Sequence, residues 1–390
     1  MTMPHIHFDR AEFADRQARA CQAIAGAGLD GLLIFKIEDM YWLTGYDSLG
    51  FVIFDNMFIG VDGALTHVSR SADLANIKYS SICDDVRVTP DDNDIPRSKA
   101  VKDMLESHGM AGKRIGIQLD TMGLTPRLYN EMRATLDGWC QLIDAPDMIR
   151  ELRLVKSPQE LEYLRKAGVI MDQVTEVAIK ATLPGAYEGD IYGTIYNTLF
   201  KLGADLPASA PPLGAGDAAL NVRYTTGRHN VGTNDQITHE LAVAYRHYHT
   251  AIMYVVLTGP DIDPRHLAMH AACIDALDAV QAKLVSGTTL GEVFEAHRAA
   301  FADHGLGHAS LNACGYTMGA TWSPSWMEQP MIVAGNPVVI EENMTFFTHM
   351  ICTDQTTGLQ MAVGEQAIVT ASGPEIITHA PRQPVVNNPA

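Results

Sequence analysis

Apolar positions in the first 150 residues follow two periods that alternate along the chain. Residues 10–28 put Phe13, Ala20 and Ile24 on one side of an amphipathic helix. "GLLIFK" (31–36) is a short buried-strand run, and residues 37–69 read as loop, strand, an Asp-Gly turn and a second strand. "RIGIQLD" (114–120) gives another strand. "TPRLYNEMRATLDG" (125–138) gives a helix with Thr125 as N-cap and Pro126 at its first position. Strands alternating with helices predict an α/β domain over residues 1–152.

From residue 153 the texture changes. "KSPQELEYLRKAG" opens with Ser157 as cap, Pro158 in the first turn and Glu160 three positions after the cap, the pattern of a capping box ahead of a long helix. Further helices are predicted within 183–205, 264–284 and 291–304, and strand-like runs at 236–257, 338–352 and 361–370. Residues 153–390 therefore read as an α+β domain, with an irregular Pro/Asn-rich tail, "APRQPVVNNPA".

Composition narrows the function classes. A formal charge of −18 argues against nucleic acid or an anionic membrane surface as partner. No apolar run approaches the roughly 20 residues needed to cross a bilayer, and the first thirty residues carry no signal-peptide pattern. Six cysteines without CxxC spacing fit reduced thiols. The expected setting is cytoplasmic, with a small-molecule substrate.

The candidate chemistry sits in the second half. "THELAVAYRHYHTAIMYVV" (238–256) predicts a hairpin turning near Arg246–His247, with Glu240 on a strand otherwise made of Leu, Ala and Val. A buried carboxylate there is costly unless it is paired or functional; a rim glutamate in water is the plainer reading. His247 and His249 could be solvated near the turn, or hold zinc with distant partners. Hard divalent ions want several oxygen ligands, and this hairpin offers one carboxylate. Downstream lie Tyr316 between small residues, then Trp322, Trp326 and Glu328, His349 among Phe, Met and Ile, and Glu365 in a strand pattern. Upstream, His229 lies in "TTGRHN".

"LRLVKSPQELEYLRKAG", "YWLTGY" and the order of the later segments resemble the pita-bread enzymes: creatinase, prolidase, aminopeptidase P and methionine aminopeptidase. The resemblance implies an α/β N-terminal domain and a C-terminal pita-bread domain, in a homodimer. It also implies five metal-ligand positions, which fall here on Glu240, Ala251, Tyr316, His349 and Gly364. That set cannot build a dinuclear centre, so no cofactor is expected. The nearer likeness is to the metal-free members, creatinase and above all ectoine hydrolase. It rests on Gly45-Tyr46-Asp47, Glu240-Leu241-Ala242, Tyr248-His249, Gly315-Tyr316, Pro324-x-Trp326-x-Glu328 and Glu342-Asn343-Met344-Thr345-Phe346. Val243, Met253–Tyr254, Ser325 and Met327 depart from that pattern near the expected pocket.

The expected activity is metal-independent hydrolysis of a non-peptide C–N bond in a small amidine-like molecule. A protonated amidine brings its own electrophilic carbon, which a carboxylate can pair with or attack. In that scheme Glu240 is nucleophile or base, His229, His349 or His249 moves protons, Glu365 holds a second nitrogen, and Tyr316 donates to developing charge. His249, Trp326, Trp322, Tyr46 and Glu328 are the expected substrate contacts. A creatinase-type amidinohydrolase, a Xaa-Pro peptidase with an unorthodox metal site, and a non-catalytic binding protein of the same fold are the alternatives.

Overall fold

The computed structural model describes residues 4–92 and 95–388 and divides the chain into two units, Met1–Arg153 and Leu154–Ala390. The first unit runs α1 (Arg10–Gly26), β1 (Gly31–Ile34), α2 (Ile37–Thr44), β2 (Asp55–Gly60), β3 (Leu65–Arg70), α3 (Leu74–Ser80), β4 (Asp85–Thr89), α4 (Arg97–Ser107), β5 (Arg114–Ile117), α5 (Pro126–Leu136), β6 (Gln141–Asp144) and α6 (Met148–Leu154). Its six strands form one mixed sheet in the order β4-β3-β2-β1-β5-β6. The helical period of residues 10–28 is explained by burial of Phe13, Ala20 and Ile24.

One stretch departs from the sequence reading. Residues 37–44, expected as loop, are helical and end on Gly45 in the left-handed conformation (φ 80°). The helix buries Asp39, which accepts from Arg153 at 2.9 Å and Gln118 at 2.5 Å. Those partners lie 114 and 79 positions away, so no local pattern could announce them.

The second unit runs α7 (Pro158–Ala181), α8 (Glu188–Lys201), β7 (Leu213–Ala215), β8 (Gln236–Tyr245), β9 (Tyr248–Thr258), α9 (Pro264–Gln281), α10 (Leu290–Asp303), β10 (Ala313–Thr317), β11 (Glu328–Val333), β12 (Thr345–Asp354), β13 (Leu359–Thr370), β14 (Gly373–Ile376) and β15 (Val385–Asn387). The capping box at Ser157 and Glu160 forms as the sequence predicts. The long sheet runs β11-β10-β12-β13-β9-β8-β7, with β14 beside β13 and β15 beside β9. The tail is thus not irregular: Val385–Asn387 pairs in parallel with Val256–Thr258. A three-residue strand is too short to show a period, and its partner is remote in sequence. Residues 338–344 also differ from expectation, because the turn at Asn343 (φ 68°) delays the strand until Thr345.

The hairpin of β8 and β9 turns where the sequence places it. Arg246 (φ 54°) and His247 (φ 65°) form the two-residue left-handed turn that matches strand twist. Neither is glycine, so the turn is held from outside: His247 N donates to Asp205, and Trp322 stacks on the His247 ring at 4.0 Å. Among the described residues no helix is long and apolar enough to cross a membrane.

Candidate active site

Register across the long sheet brings the central residues together. Glu240 pairs with Met253, Met253 with Gly364, and Gly364 with His349, a row across four strands. Tyr316 pairs with Phe347, two residues from His349 and therefore on the same face. Glu240, His349 and Tyr316 thus share one side of the sheet. The alternation of side chains sends Glu365, one residue on, to the other side.

On the shared face a cavity of about 610 Å³ opens. Glu240, Trp326, Arg223, Tyr224, Tyr192 and Ser325 are among its lining residues. Glu240 is buried, and among the described residues its carboxylate has no hydrogen-bond partner. Loss of solvation raises its pKa to about 7, partly offset by the positive charge of Arg223. Tyr316 accepts a hydrogen bond from Trp326 Nε1 at 2.9 Å, and burial beside Glu240 holds its phenol far above the usual range. The hydroxyl therefore keeps its proton as a donor. His349 packs against Tyr316 and Phe347, each at 5.6 Å between ring centroids. Burial lowers its pKa to about 4, and its Nδ1 is buried without a partner among the described residues. The cavity is thus lined by a carboxyl poised near neutrality, and on the same face of the sheet, outside the lining itself, stand a neutral imidazole and a protonated phenol.

Other expected residues lie elsewhere. Glu365 is buried on the opposite face, where its carboxylate accepts from Gln281, Arg382 and the Ala380 N–H at 2.8, 2.8 and 3.0 Å. It is structurally saturated rather than available to a ligand. His249 is on the right face but both ring nitrogens are engaged. Its Nε2 accepts from Ala208 N at 2.9 Å, which leaves the proton on Nδ1 facing the His247 carbonyl at 2.6 Å. Burial lowers its pKa to about 3, so it does not move protons near neutrality. Trp322 covers the hairpin turn instead of the cavity. Glu328 opens β11 opposite Thr317, outside the cavity lining. Its Oε2 lies 2.6 Å from where a Cβ on residue 319 would stand, so a side chain there would have to displace the Glu328 carboxylate. Tyr46 is fully buried in the first unit, its hydroxyl donating to Asp55 at 3.0 Å, and so contributes no free contact. His229 is exposed and stacks on the lining residue Tyr224, with 6.0 Å between centroids, rather than lining the cavity itself.

Two residues missed in the sequence organise this wall. Glu188, first residue of α8, is fully buried, and its Oε2 accepts from the Gly227, Arg228 and His229 N–H groups and from Tyr224 OH at 3.0, 3.0, 3.3 and 3.0 Å. One carboxylate thereby folds the "TTGRHN" loop. The other is Arg223, from the segment before that loop. The acidic start of α8 is a visible signal, but one shared by many helices; nothing in the pattern marks Arg223.

The residues present do not fit a dinuclear metal centre. Of the five ligand positions implied by the resemblance, Ala251 and Gly364 offer no donor atom, leaving one carboxyl, one imidazole and one phenol. Gly364 cannot recover the role by substitution alone, since even a Cβ there would meet the Phe347 ring at 2.9 Å and Met253 Cβ at 3.1 Å. Among the described residues no three His, Cys, Asp or Glu side chains converge as a metal site.

Comparison with known proteins places this geometry in a family. Residues 162–371 match metallopeptidase family M24, and residues 16–155 match the creatinase/prolidase N-terminal domain. The chain is 26% identical to the uncharacterized hydrolase/peptidase y4tM of Sinorhizobium fredii, over 98% of this chain and 99% of that protein. It is 24% identical to the ectoine hydrolase of Halomonas elongata, again over 98% and 99% of the two chains. The crystal structure of dipeptidase PepE from Mycobacterium ulcerans superposes with a TM-score of 0.85 at 23% identity, covering 98% of this chain and 99% of that one.

Proposed function

We propose that this chain, which belongs to metallopeptidase family M24 and carries the creatinase/prolidase N-terminal domain, hydrolyses a non-peptide C–N bond in a small amidine-like molecule without a dinuclear metal centre. The observation that carries the reading is Glu240. It is a buried carboxyl facing a cavity, without a hydrogen-bond partner among the described residues, and no second carboxylate stands in its row across the sheet. Removing a carboxylate from water is costly, and a group left unpaired in this way is a candidate for function. The likeness to an ectoine hydrolase over nearly the whole chain supports the same direction.

The chemistry follows from the charges. A protonated amidine supplies the cation that Glu240 lacks, and its arrival pulls the carboxyl into its ionised form. Ionised Glu240 then attacks the central carbon or takes a proton from the attacking water. Tyr316 donates to charge that develops as the C–N bond weakens. Glu240, once it has taken the water's proton, returns it to the leaving nitrogen, and His349, neutral and with its Nδ1 unpartnered among the described residues, offers that nitrogen a hydrogen bond without carrying the proton. Trp326 supplies an aromatic wall for the cation.

The test is turnover of ectoine and of Xaa-Pro dipeptides by the purified protein, before and after exhaustive dialysis against EDTA. The expected result is hydrolysis of the amidine that survives chelation. Dipeptide cleavage that vanishes with EDTA and returns with a divalent metal would overturn the reading.

A further inference from the structure

Two charged side chains, of opposite sign, are among the residues that line the cavity: Glu240 and Arg223. Arg223 is exposed and its guanidinium is poorly satisfied. Nη1 donates to the Val222 carbonyl at 3.2 Å, and Nη2 points to the thioether of Met327 at 3.6 Å. A thioether is a weak acceptor, and guanidinium carries five N–H donors in a planar fork. Among the described residues no carboxylate pairs with it. It is not remote from the reacting end either, since its charge is felt at Glu240, Tyr316 and His349. Next to Met327 stands Ser325, whose Oγ accepts from Met327 N at 3.1 Å and keeps its own proton free to donate. Two further hydroxyls of the lining are engaged: Thr226 donates to the Pro211 carbonyl, and Tyr224 to Glu188.

We propose that Arg223 is a specificity-determining residue that binds an anionic group on the substrate, with Ser325 as a second donor. The cavity then accepts a small zwitterion, its cationic C–N group against Glu240 and its carboxylate against Arg223. A carboxylate fits the guanidinium fork through two parallel hydrogen bonds and displaces the Met327 sulfur from a weak contact. This rests on reading the cavity as the site of C–N hydrolysis, and it adds the far end of the substrate. The rival role for Arg223 is to stabilise the charge of Glu240 with no ligand contact. That role predicts equal effects on acids and on their neutral derivatives.

The test measures binding by calorimetry for three acid–ester pairs: ectoine, creatine and Ala-Pro, each beside its methyl ester. The proteins are wild type, Arg223→Gln, Arg223→Lys and Glu240→Gln. Wild type should prefer the acid in at least one pair by about tenfold or more, the scale of a charge-assisted bidentate contact. Arg223→Gln should erase the preference, Arg223→Lys retain part of it, and Glu240→Gln keep it while losing turnover. Absence of any acid preference in the wild type, or a preference that survives Arg223→Gln, overturns the assignment. If the Arg223-dependent preference appears for Ala-Pro and not for the amidine pair, Arg223 keeps its role and the proposed reaction falls. If ectoine is turned over but the preference survives Arg223→Gln, the reaction stands and the anion site falls.

Discussion

Two glutamates of the long sheet, Glu240 on β8 and Glu365 on β13 with β9 between them, are both buried, yet their surroundings are opposite. Glu365 meets three donors, one of them the cation of Arg382, and closes the back of the sheet against Gln281 at the end of α9. Glu240, on the cavity side, meets none among the described residues and has its pKa pushed up to about 7. The first arrangement is what a fold does with a charge it must keep. The second leaves the cost of burial uncompensated until something enters the cavity. Burial by itself therefore says little about function; the presence or absence of partners separates the two.

The largest expected effect breaks the pair apart by rate. Glu240→Gln keeps shape and removes the charge, and in the proposed role it should lower kcat by at least ~10²-fold, the lower scale of general acid–base contributions. Glu365→Gln should leave kcat within about twofold once the protein is folded. Steady-state kinetics on both variants decides it, and an unchanged rate in Glu240→Gln removes that residue from the chemistry.

Stability should move the other way. Glu365→Ala strands Gln281, Arg382 and the Ala380 N–H around a void, which should cost about 2–4 kcal/mol. Glu240→Gln should instead stabilise the protein at alkaline pH. The sign follows from the raised pKa: folded Glu240 holds its proton up to about 7, whereas the unfolded group releases it near the ordinary glutamate value of 4.5. The contribution is complete below the unfolded value and is lost as pH rises through the folded one. A tenfold change in proton affinity corresponds to about 1.4 kcal/mol, so a gain on the order of 2–3 kcal/mol at pH 8 is expected for the glutamine variant. Urea titrations at pH 5 and pH 8 measure it; equal midpoint shifts at both would show that Glu240 carries no burial cost.

A smaller effect is the pH dependence of catalysis. If ionised Glu240 is the working form, kcat/KM in the wild type rises with pH through about 7, the folded-state value. In the opposite direction, burial lowers the pKa of His239 and His249 to about 3 and of His297 and His349 to about 4. Their stabilising contribution is full above the unfolded value near 6.5 and is lost as pH falls toward 3–4. The protein should therefore unfold on mild acidification, and a Tm that stays level from pH 7 to pH 4 would contradict the burial of these rings.

These contrasts also show what the sequence can and cannot announce. The hairpin, its Arg246–His247 turn and the capping box at Ser157 are legible because each is set by residues within a few positions of one another. Gathering Glu240, Tyr316 and His349 on one face is legible through resemblance and strand parity combined. Glu365 is misplaced by sequence reasoning because two adjacent strand positions are both attractive, and a shift of one residue exchanges the faces. His249 misleads for another reason: its ring is held by the Ala208 N–H, and a partner 41 positions away leaves no trace in a local pattern. The same holds for Glu188, whose ligands are backbone N–H groups that any residue could supply.

The smallest expected effect sharpens the comparison inside the cavity itself. Trp326 both lines the wall and donates its indole N–H to Tyr316. With that lone pair occupied, the phenol proton is directed elsewhere, and Glu240 is close enough for its charge to raise the Tyr316 pKa. Trp326→Phe keeps an aromatic wall and removes the donor, freeing the hydroxyl to rotate. A lost neutral hydrogen bond costs about 1 kcal/mol, so a drop in kcat of roughly fivefold with little change in KM is expected if Tyr316 donates in the transition state. If Tyr316 is simply part of the core, the same substitution lowers Tm by a few degrees and leaves kcat alone. Kinetics and thermal unfolding on this one variant therefore distinguish a phenol that works from one that fills space.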